Sequence, residues 1–102
     1  MIDASEQITI GPDTMIGPFC YITDHDHGTQ AGVLIREQPL VGAAVSIGAN
    51  SWLGAHVTIL KGVTIGEGCV IGAGSVVTRD LPAQSIAVGV PARVARERGP
   101  RR

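Results

Sequence analysis

A six-residue repeat runs through most of the sequence and limits what the chain can fold into. Steps of six from Ala4 and again from Val41 place Val, Ile or Leu at ten of eleven positions. These positions are Ala4, Ile10, Ile16, Ile22, Val41, Ile47, Leu53, Ile59, Ile65, Ile71 and Val77. A period of six fits neither a helix of period 3.6 nor a long strand of period two. It indicates short strands that are separated by tight corners.

Two further positions of the repeat are also restricted. The position after the repeat start is glycine at Gly11, Gly17, Gly42, Gly48, Gly54, Gly66 and Gly72. The fifth position holds Ile8, Thr14, Cys20, Asp26, Val45, Ser51, Val57, Val63, Cys69, Ser75 and Leu81, of which all but Asp26 are small or apolar. We expect the first and fifth positions to point inwards, and glycine to permit corner angles that a side chain opposes.

Three such sides close a triangular coil of eighteen residues, and stacked coils bury a continuous column of aliphatic side chains. The sequence therefore predicts an all-β parallel β-helix that forms a single domain over residues 1–102. Residues 41–94 would make three coils, and residues 4–27 a little over one more. An ordinary antiparallel sheet is disfavoured because the hairpin signals Asn-Gly and Asp-Gly are absent from the sequence.

The repeat is interrupted between Asp24 and Leu40, and the interruption shifts its phase by one residue. The segment begins with Asp24, His25, Asp26 and His27, which place two aspartates and two histidines next to one another in an otherwise plain part of the sequence. A long loop in a regular solenoid is more often functional than not. We therefore predict a protruding loop over residues 24–40, and at the other end a short C-terminal tail, for which a helix is one option.

The overall charge gives little indication of a charged partner. The formal net charge is −1, so neither a nucleic acid nor a membrane surface is expected to bind. Five of the eight basic residues fall in the last ten positions: Arg93, Arg96, Arg98, Arg101 and Arg102. They predict either a solvated tail or an anion site. Cys20 and Cys69 are expected to be buried thiols. With no signal peptide and no membrane-length apolar run, a cytoplasmic location is the expectation.

The repeats, together with "IGANSWLGAHVTILKGVTIGEGCVIGAGSVVTRDLPAQSIAVGVPARV", resemble the hexapeptide-repeat acyltransferases. The nearest resemblance is to the galactoside and maltose O-acetyltransferase branch. It implies a left-handed β-helix, a homotrimer with active sites between subunits, acetyl-CoA as co-substrate without a metal, and a hydroxyl of a sugar or polysaccharide precursor as acceptor. The family places its catalytic histidine in a Thr-x-His context on a loop. Here Thr23-Asp24-His25 matches, so His25 is the predicted base and His27 the alternative.

The resemblance also implies a set of cofactor-binding positions. Trp52 matches a tryptophan beside the pantetheine arm, and Ala73 a backbone N–H that bonds it. Thr78 and Arg79 match the pair at the far end of the cofactor. Arg93 and Arg96 match basic residues near the nucleotide phosphates, whereas Arg98, Arg101 and Arg102 are expected to be solvated. A guanidinium suits phosphate because it can bind two oxygens at once.

Chemistry supports the predicted role of His25. A neutral imidazole has an unperturbed pKa near 6.5, which suits removal of a hydroxyl proton at cellular pH. Either Asp24 or Asp26 could orient the ring by accepting a hydrogen bond from its second nitrogen. Flanking carboxylates would also raise the pKa of the histidine.

Two departures from the family pattern leave other functions open. Ala55 stands where the galactoside branch has a serine hydroxyl that steadies the oxyanion, and the chain is short, or truncated, at its N-terminus. A catalytically degenerate CoA-binding trimeric scaffold is therefore an alternative. A second is a metal enzyme like the γ-carbonic anhydrases, which would need His25, His27 and His56 to converge on zinc.

Overall fold

The computed structural model describes residues 1–99, which form fourteen short strands and one 3-10 turn. The strands are β1 Ile2–Asp3, β2 Ile8–Ile10, β3 Met15–Ile16, β4 Tyr21–Thr23, β5 His25–His27, β6 Leu40–Gly42, β7 Val45–Ile47, β8 Trp52–Leu53, β9 Thr58–Ile59, β10 Thr64–Ile65, β11 Val70–Ile71, β12 Val76–Val77, β13 Ser85–Gly89 and β14 Ala92–Glu97. The 3-10 turn spans Ile35–Glu37. Arg101 and Arg102 lie outside the described residues.

Three parallel sheets form the sides of a prism. Sheet 1 has the order β1-β4-β9-β12, sheet 2 the order β10-β7-β2, and sheet 3 the order β14-β13-β11-β8-β3. Between Val45 and Val77, partners in successive coils are 18 residues apart, as Trp52 is from Val70 and Thr58 from Val76. Where the ribbon lies between two coils the spacing is 37 residues, as from Tyr21 to Thr58. The six-residue repeat and the eighteen-residue coil are therefore both present in the structure, and the prediction of a parallel β-helix is confirmed.

The interior of the prism is built from the first and fifth positions of the repeats. The repeat starts from Ile47 to Val77 are all buried, and so are the fifth positions from Val45 to Leu81. Cys20 and Cys69 are buried free thiols, as predicted. Ile16 remains 39% exposed because β3 is the end strand of sheet 3 and has only one neighbour.

The expected reason for the corner glycines is wrong. The glycines that follow the repeat starts do not have positive φ, which occurs two residues later, at Asn50 (φ 54) and His56 (φ 59) for example. A Cβ on Gly48 would lie 2.6 Å from the backbone nitrogen of Glu67 in the next coil. Glycine is therefore needed for the close approach of the neighbouring backbone at Gly11, Gly17, Gly48, Gly54 and Gly66, whereas a Cβ on Gly42 or Gly72 would meet a side chain.

The interruption of the repeat forms an antiparallel two-stranded ribbon, residues 25–42, between β4 and β7. β5 pairs with β6, so that His25 lies opposite Gly42 and Asp26 opposite Val41. Val41 is consequently 46% exposed, and its prediction as an inward repeat start is wrong. Asp24 is fully buried, so the protruding segment begins at His25.

The C-terminal end also departs from the expected third coil. After Val77 the spacing shortens to 16 residues, as Ile65 pairs with Leu81 and Val70 with Ile86. The chain then turns back, and β14 pairs antiparallel with β13. Residues 92–97 are a strand, so a helical tail is wrong for them.

Candidate active site

His25 stands at the point where the ribbon leaves the prism. Its Nδ1 lies 2.9 Å from Oδ1 of Asp24, and its Nε2 lies 3.6 Å from Oδ2 of Asp3. The side chain is 14% exposed. Of the two aspartates that sequence reasoning left open, Asp24 therefore orients the ring, while Asp26 lies 3.6 Å from Nζ of Lys61.

The carboxylate of Asp24 is a buried acceptor for several donors. Its two oxygens accept backbone N–H bonds from Ser5 at 2.8 Å and Glu6 at 2.7 Å, in addition to the contact with His25. Burial opposes the charged form, but the hydrogen bonds from His25 and from the N–H groups of residues 5–7 outweigh it and lower the pKa of Asp24 to about 2. Asp24 is therefore ionised at neutral pH.

The pKa of His25 moves in the opposite direction. The hydrogen bond to Asp24 raises it, burial lowers it, and the charges of the nearby Asp3, Asp24 and Asp26 raise it further, so that the pKa lies above the ordinary value. A neutral ring that donates from Nδ1 to Asp24 keeps an unprotonated Nε2. This is the nitrogen on the side of Asp3.

A cavity of about 380 Å³ opens beside this histidine, and we call it the histidine cavity. Its lining residues are Asp3, Tyr21, Thr23, His25, Asp26, His27, Leu40 and Leu60. Sequence reasoning missed Asp3 and Tyr21. Only the pairing of β1 with β4 brings Asp3 next to Thr23, and no local motif signals that pairing.

A second cavity, of about 290 Å³, lies against sheet 3, and we call it the tryptophan cavity. It is lined by Trp52, Gly54, Ala55, Val70, Ile71, Gly72 and Ala73. Three of the predicted cofactor positions, Trp52, Ala55 and Ala73, therefore surround one space. Trp52 is 51% exposed, which leaves its ring available to a ligand. This cavity shares no lining residue with the histidine cavity, which lies against sheet 1.

The other predicted cofactor residues lie outside both cavities. Thr78 and Arg79 are exposed and follow β12, at the end of sheet 1. Arg93 and Arg96 are exposed on β14, opposite Val88 and Ile86 of β13. Arg98 was expected to be solvated, but its guanidinium donates to the carbonyl of Gly68 at 3.0 Å.

The three histidines do not form a common ligand set. The ring of His56 stacks on Phe19 in a corner of the prism, with 5.0 Å between the ring centroids. Within residues 1–99, no group of three or more His, Cys, Asp or Glu side chains is arranged to hold a metal ion. The geometry of these residues therefore gives no support to the carbonic-anhydrase-like alternative.

Comparison with known proteins agrees with the geometry. Residues 44–79 match the family model described as bacterial transferase hexapeptide (six repeats). A probable acetyltransferase of Mycobacterium tuberculosis is 40% identical over 99 residues, which cover 96% of this chain. The chain therefore carries the hexapeptide repeat of the bacterial transferases. The predicted family and its left-handed β-helix fold are thereby confirmed.

Two solved structures of hexapeptide-repeat enzymes superpose closely on this one. A galactoside acetyltransferase in complex with coenzyme A has a TM-score of 0.85 and 41% identity, over 90% of this chain and 46% of the other. An acetyltransferase from Vibrio cholerae complexed with acetyl-CoA has a TM-score of 0.82 and 33% identity, over 91% and 50%. The chain spans about half of both, and 33% of the mycobacterial relative.

Among residues 1–99 there is no helix with the length and hydrophobicity needed to cross a bilayer.

Proposed function

We propose that this chain is an acetyl-CoA-dependent O-acetyltransferase that acts on a sugar hydroxyl, with His25 as the general base. The observation that carries the proposal is the orientation of His25, whose Nδ1 is held by a buried carboxylate while Nε2 lies on the cavity side. The galactoside acetyltransferase with bound coenzyme A supports both the co-substrate and the class of acceptor.

In the proposed reaction, Nε2 of His25 takes the proton from the acceptor hydroxyl as its oxygen attacks the thioester carbonyl carbon. The Nδ1–H bond to Asp24 stabilises the imidazolium that results. When the tetrahedral intermediate collapses, the carbon–sulfur bond breaks and the thiolate of coenzyme A takes the proton back from Nε2. The acetyl ester forms, and His25 returns to its neutral state.

The tryptophan cavity is the proposed site of the pantetheine arm, which is itself amphipathic. Trp52 would lie along the arm, Ala73 would offer its backbone N–H, and Ala55 would stand beside the thioester. Thr78 and Arg79 are proposed to meet the far end of the cofactor. Arg93 and Arg96 are proposed to meet its phosphates, for which exposed guanidinium groups are suited.

The active unit is proposed to be a homotrimer. The outward residues of sheet 3 include Met15 and Trp52, both exposed, and those of sheet 1 include Tyr21. Sheet 2 turns Thr9, Ser46 and Thr64 outwards. The outward row of sheet 1 continues with Thr58 and Val76, so this side is mixed. One apolar, one mixed and one polar side suit an assembly in which sheet 1 of one copy meets sheet 3 of the next. Such packing would bring a histidine cavity and a tryptophan cavity from different subunits together.

The test of the base is a pair of matched variants. We expect His25→Ala to lower the rate of CoA release from acetyl-CoA with methyl β-galactopyranoside by at least about 100-fold. His27→Ala is the control, since His27 lines the same cavity and is exposed. CoA affinity should stay within a few-fold in both. A His27→Ala loss equal to or larger than the His25→Ala loss would assign the base to His27.

A second candidate is a CoA-binding scaffold without turnover, favoured by the missing hydroxyl at Ala55. Removal of one oxyanion donor costs about 2.7–4 kcal/mol in other enzymes. CoA binding without acetyl transfer to any sugar would support this candidate.

Because acetyl-CoA is the proposed co-substrate, the proposed location is the cytoplasm.

A further inference from the structure

We propose that the histidine cavity selects an acceptor with two neighbouring hydrogen-bond donors and no acid group beside them, and that Asp3 is the residue that makes this selection. The inference rests on the proposed role of His25. It goes further because it names the chemistry that the acceptor must show next to its reacting hydroxyl.

The first step concerns the two acceptors that face the cavity. With Nδ1 directed to Asp24, a neutral His25 presents the lone pair of Nε2. Oδ2 of Asp3 lies 3.6 Å from this nitrogen, which is longer than a hydrogen bond. Two acceptors at this separation cannot satisfy each other. They can be satisfied together by two donors on adjacent carbons of one ligand, such as a vicinal diol or an amino alcohol.

The second step concerns the orientation of Asp3. The hydroxyl of Tyr21 donates to Oδ2 of Asp3 at 3.3 Å, and the pairing of β1 with β4 fixes the backbone on either side of the contact. The carboxylate of Asp3 is 40% exposed and lines the cavity. It is therefore held in place and still accessible to a ligand.

The third step concerns charge. Asp3 and Asp26 both line the cavity, and the ionised Asp24 lies directly behind His25. The lining includes neither lysine nor arginine, and Lys61 is paired with Asp26 at 3.6 Å. When His25 is neutral, as a base must be, this set carries an excess of negative charge. A carboxylate on the acceptor would be repelled by these negative charges, whereas a neutral glycoside would not.

The experiment compares two acceptors with the same ring hydroxyls. One is methyl α-galactopyranoside, which is neutral, and the other is methyl α-galacturonide, which carries a carboxylate at C6. CoA release from acetyl-CoA gives kcat/KM for each. In parallel, the histidine signals in the NMR spectrum are titrated with each glycoside, so that binding is measured without turnover.

We expect the unmodified protein to prefer the galactoside over the galacturonide by at least about tenfold in both measurements. Asp3→Asn keeps the size of the side chain but removes its charge. It should lower both kcat/KM and the affinity for the galactoside, and it should reduce the preference for the galactoside over the galacturonide to about threefold or less. Asp13→Asn, which removes a carboxylate from an exposed corner outside the cavity, should change neither.

Three results would overturn the inference. The first is an equal kcat/KM for the two glycosides, and the second is an equal fall in kcat/KM for both glycosides in Asp3→Asn. The third is the absence of binding of either glycoside. A galactoside that binds in an Asp3-dependent way without releasing CoA would support the acceptor inference while contradicting the proposed acetyl transfer.

Discussion

At the residue scale, the buried carboxylate of Asp24 has two tasks. It accepts N–H bonds from Ser5 and Glu6 in the preceding coil, and it fixes the ring of His25 at the start of the ribbon. One side chain therefore connects the packing of the prism to the orientation of the proposed base. Because Asp24 is ionised and fully bonded, its replacement leaves several donors without a partner.

The first prediction concerns the pH dependence of the proposed reaction. The hydrogen bond to Asp24 raises the pKa of His25 above the ordinary value of a histidine. The neutral form, which acts as the base, therefore becomes the main form only at a higher pH than in a free histidine. Asp24→Asn removes the charge. It should shift the acid limb of kcat/KM to lower pH and reduce the plateau rate by at least about tenfold. The measurement is a pH–rate profile, together with an NMR titration of His25.

The control for this prediction is Asp26→Asn. Asp26 contributes only its charge to the raised pKa of His25, and it lies next to Lys61. Its removal should shift the acid limb in the same direction but by a smaller amount. An acid limb that Asp24→Asn leaves in place would contradict the positioning role of Asp24. A thermal melt of each variant confirms that it is folded.

Sequence reasoning reached part of this site and stopped at a definite point. The Thr-x-His motif singled out His25, and the two flanking aspartates were recognised as possible partners. Local sequence could not decide between Asp24 and Asp26, because the choice depends on which side chain turns into the prism. Asp3 could not be found, since its contact with His25 depends on the register between β1 and β4.

At the scale of the elements, each corner of the prism has two structural requirements, and a different residue meets each of them. The glycine after a repeat start gives room to the next coil, and the residue two places later takes the positive φ. Gly48 and Asn50 show the two roles, and Gly66 and Gly68 occupy the same places one coil further on. Glycine serves at both kinds of position, but asparagine fits only the second.

The second prediction follows from this division. Gly48→Ala should lower the free energy of unfolding by about 1–3 kcal/mol, since the new Cβ would lie 2.6 Å from the nitrogen of Glu67. Gly74→Ala has open space and should cost about 1 kcal/mol, because φ is +77. Gly74→Asn should cost less than Gly74→Ala, whereas Gly48→Asn should cost more than Gly48→Ala. Chemical denaturation measures all four, and equal costs at both sites would refute the distinction.

The repeat predicted the prism well and the additions to it poorly. From Val45 to Val77 the inward and outward pattern of the structure follows the period of six. Val41 kept the period by coincidence, because its environment is set by pairing with Asp26 across the ribbon. The hairpin of β13 and β14 has no Asn-Gly or Asp-Gly turn, and its turn residues are Val90 and Pro91. This antiparallel pair therefore lacks the dipeptides that predict a hairpin from sequence.

At the scale of the whole molecule, the separation of the two cavities decides what one chain can do. The predicted base and the predicted pantetheine residues lie against different sheets. A trimer in which sheet 1 of each subunit faces sheet 3 of the next would unite them. The outward side chains, which are apolar on sheet 3, mixed on sheet 1 and polar on sheet 2, suit that arrangement.

The third prediction tests this assembly by mixing two inactive variants. His25→Ala removes the base from one side of the proposed site, and Trp52→Ala removes the pantetheine contact from the other side. If sites lie between subunits, co-assembly should restore part of the activity, because some interfaces combine an intact His25 with an intact Trp52. The measurement is CoA release after the two variants are unfolded and refolded together. Mixtures no more active than the separate variants would show that each chain holds its own site.

The reversed last strand has a consequence for growth along the axis of the column. Stacked parallel coils leave backbone donors and acceptors at each end, which could template another chain and build a fibre. Here β14 runs against its neighbour and carries Arg93 and Arg96 on its exposed surface. A second chain that stacked in the register of the coils would meet a reversed ladder and two exposed guanidinium groups, which would have to lose their water. Lengthwise polymerisation over this strand is thereby discouraged.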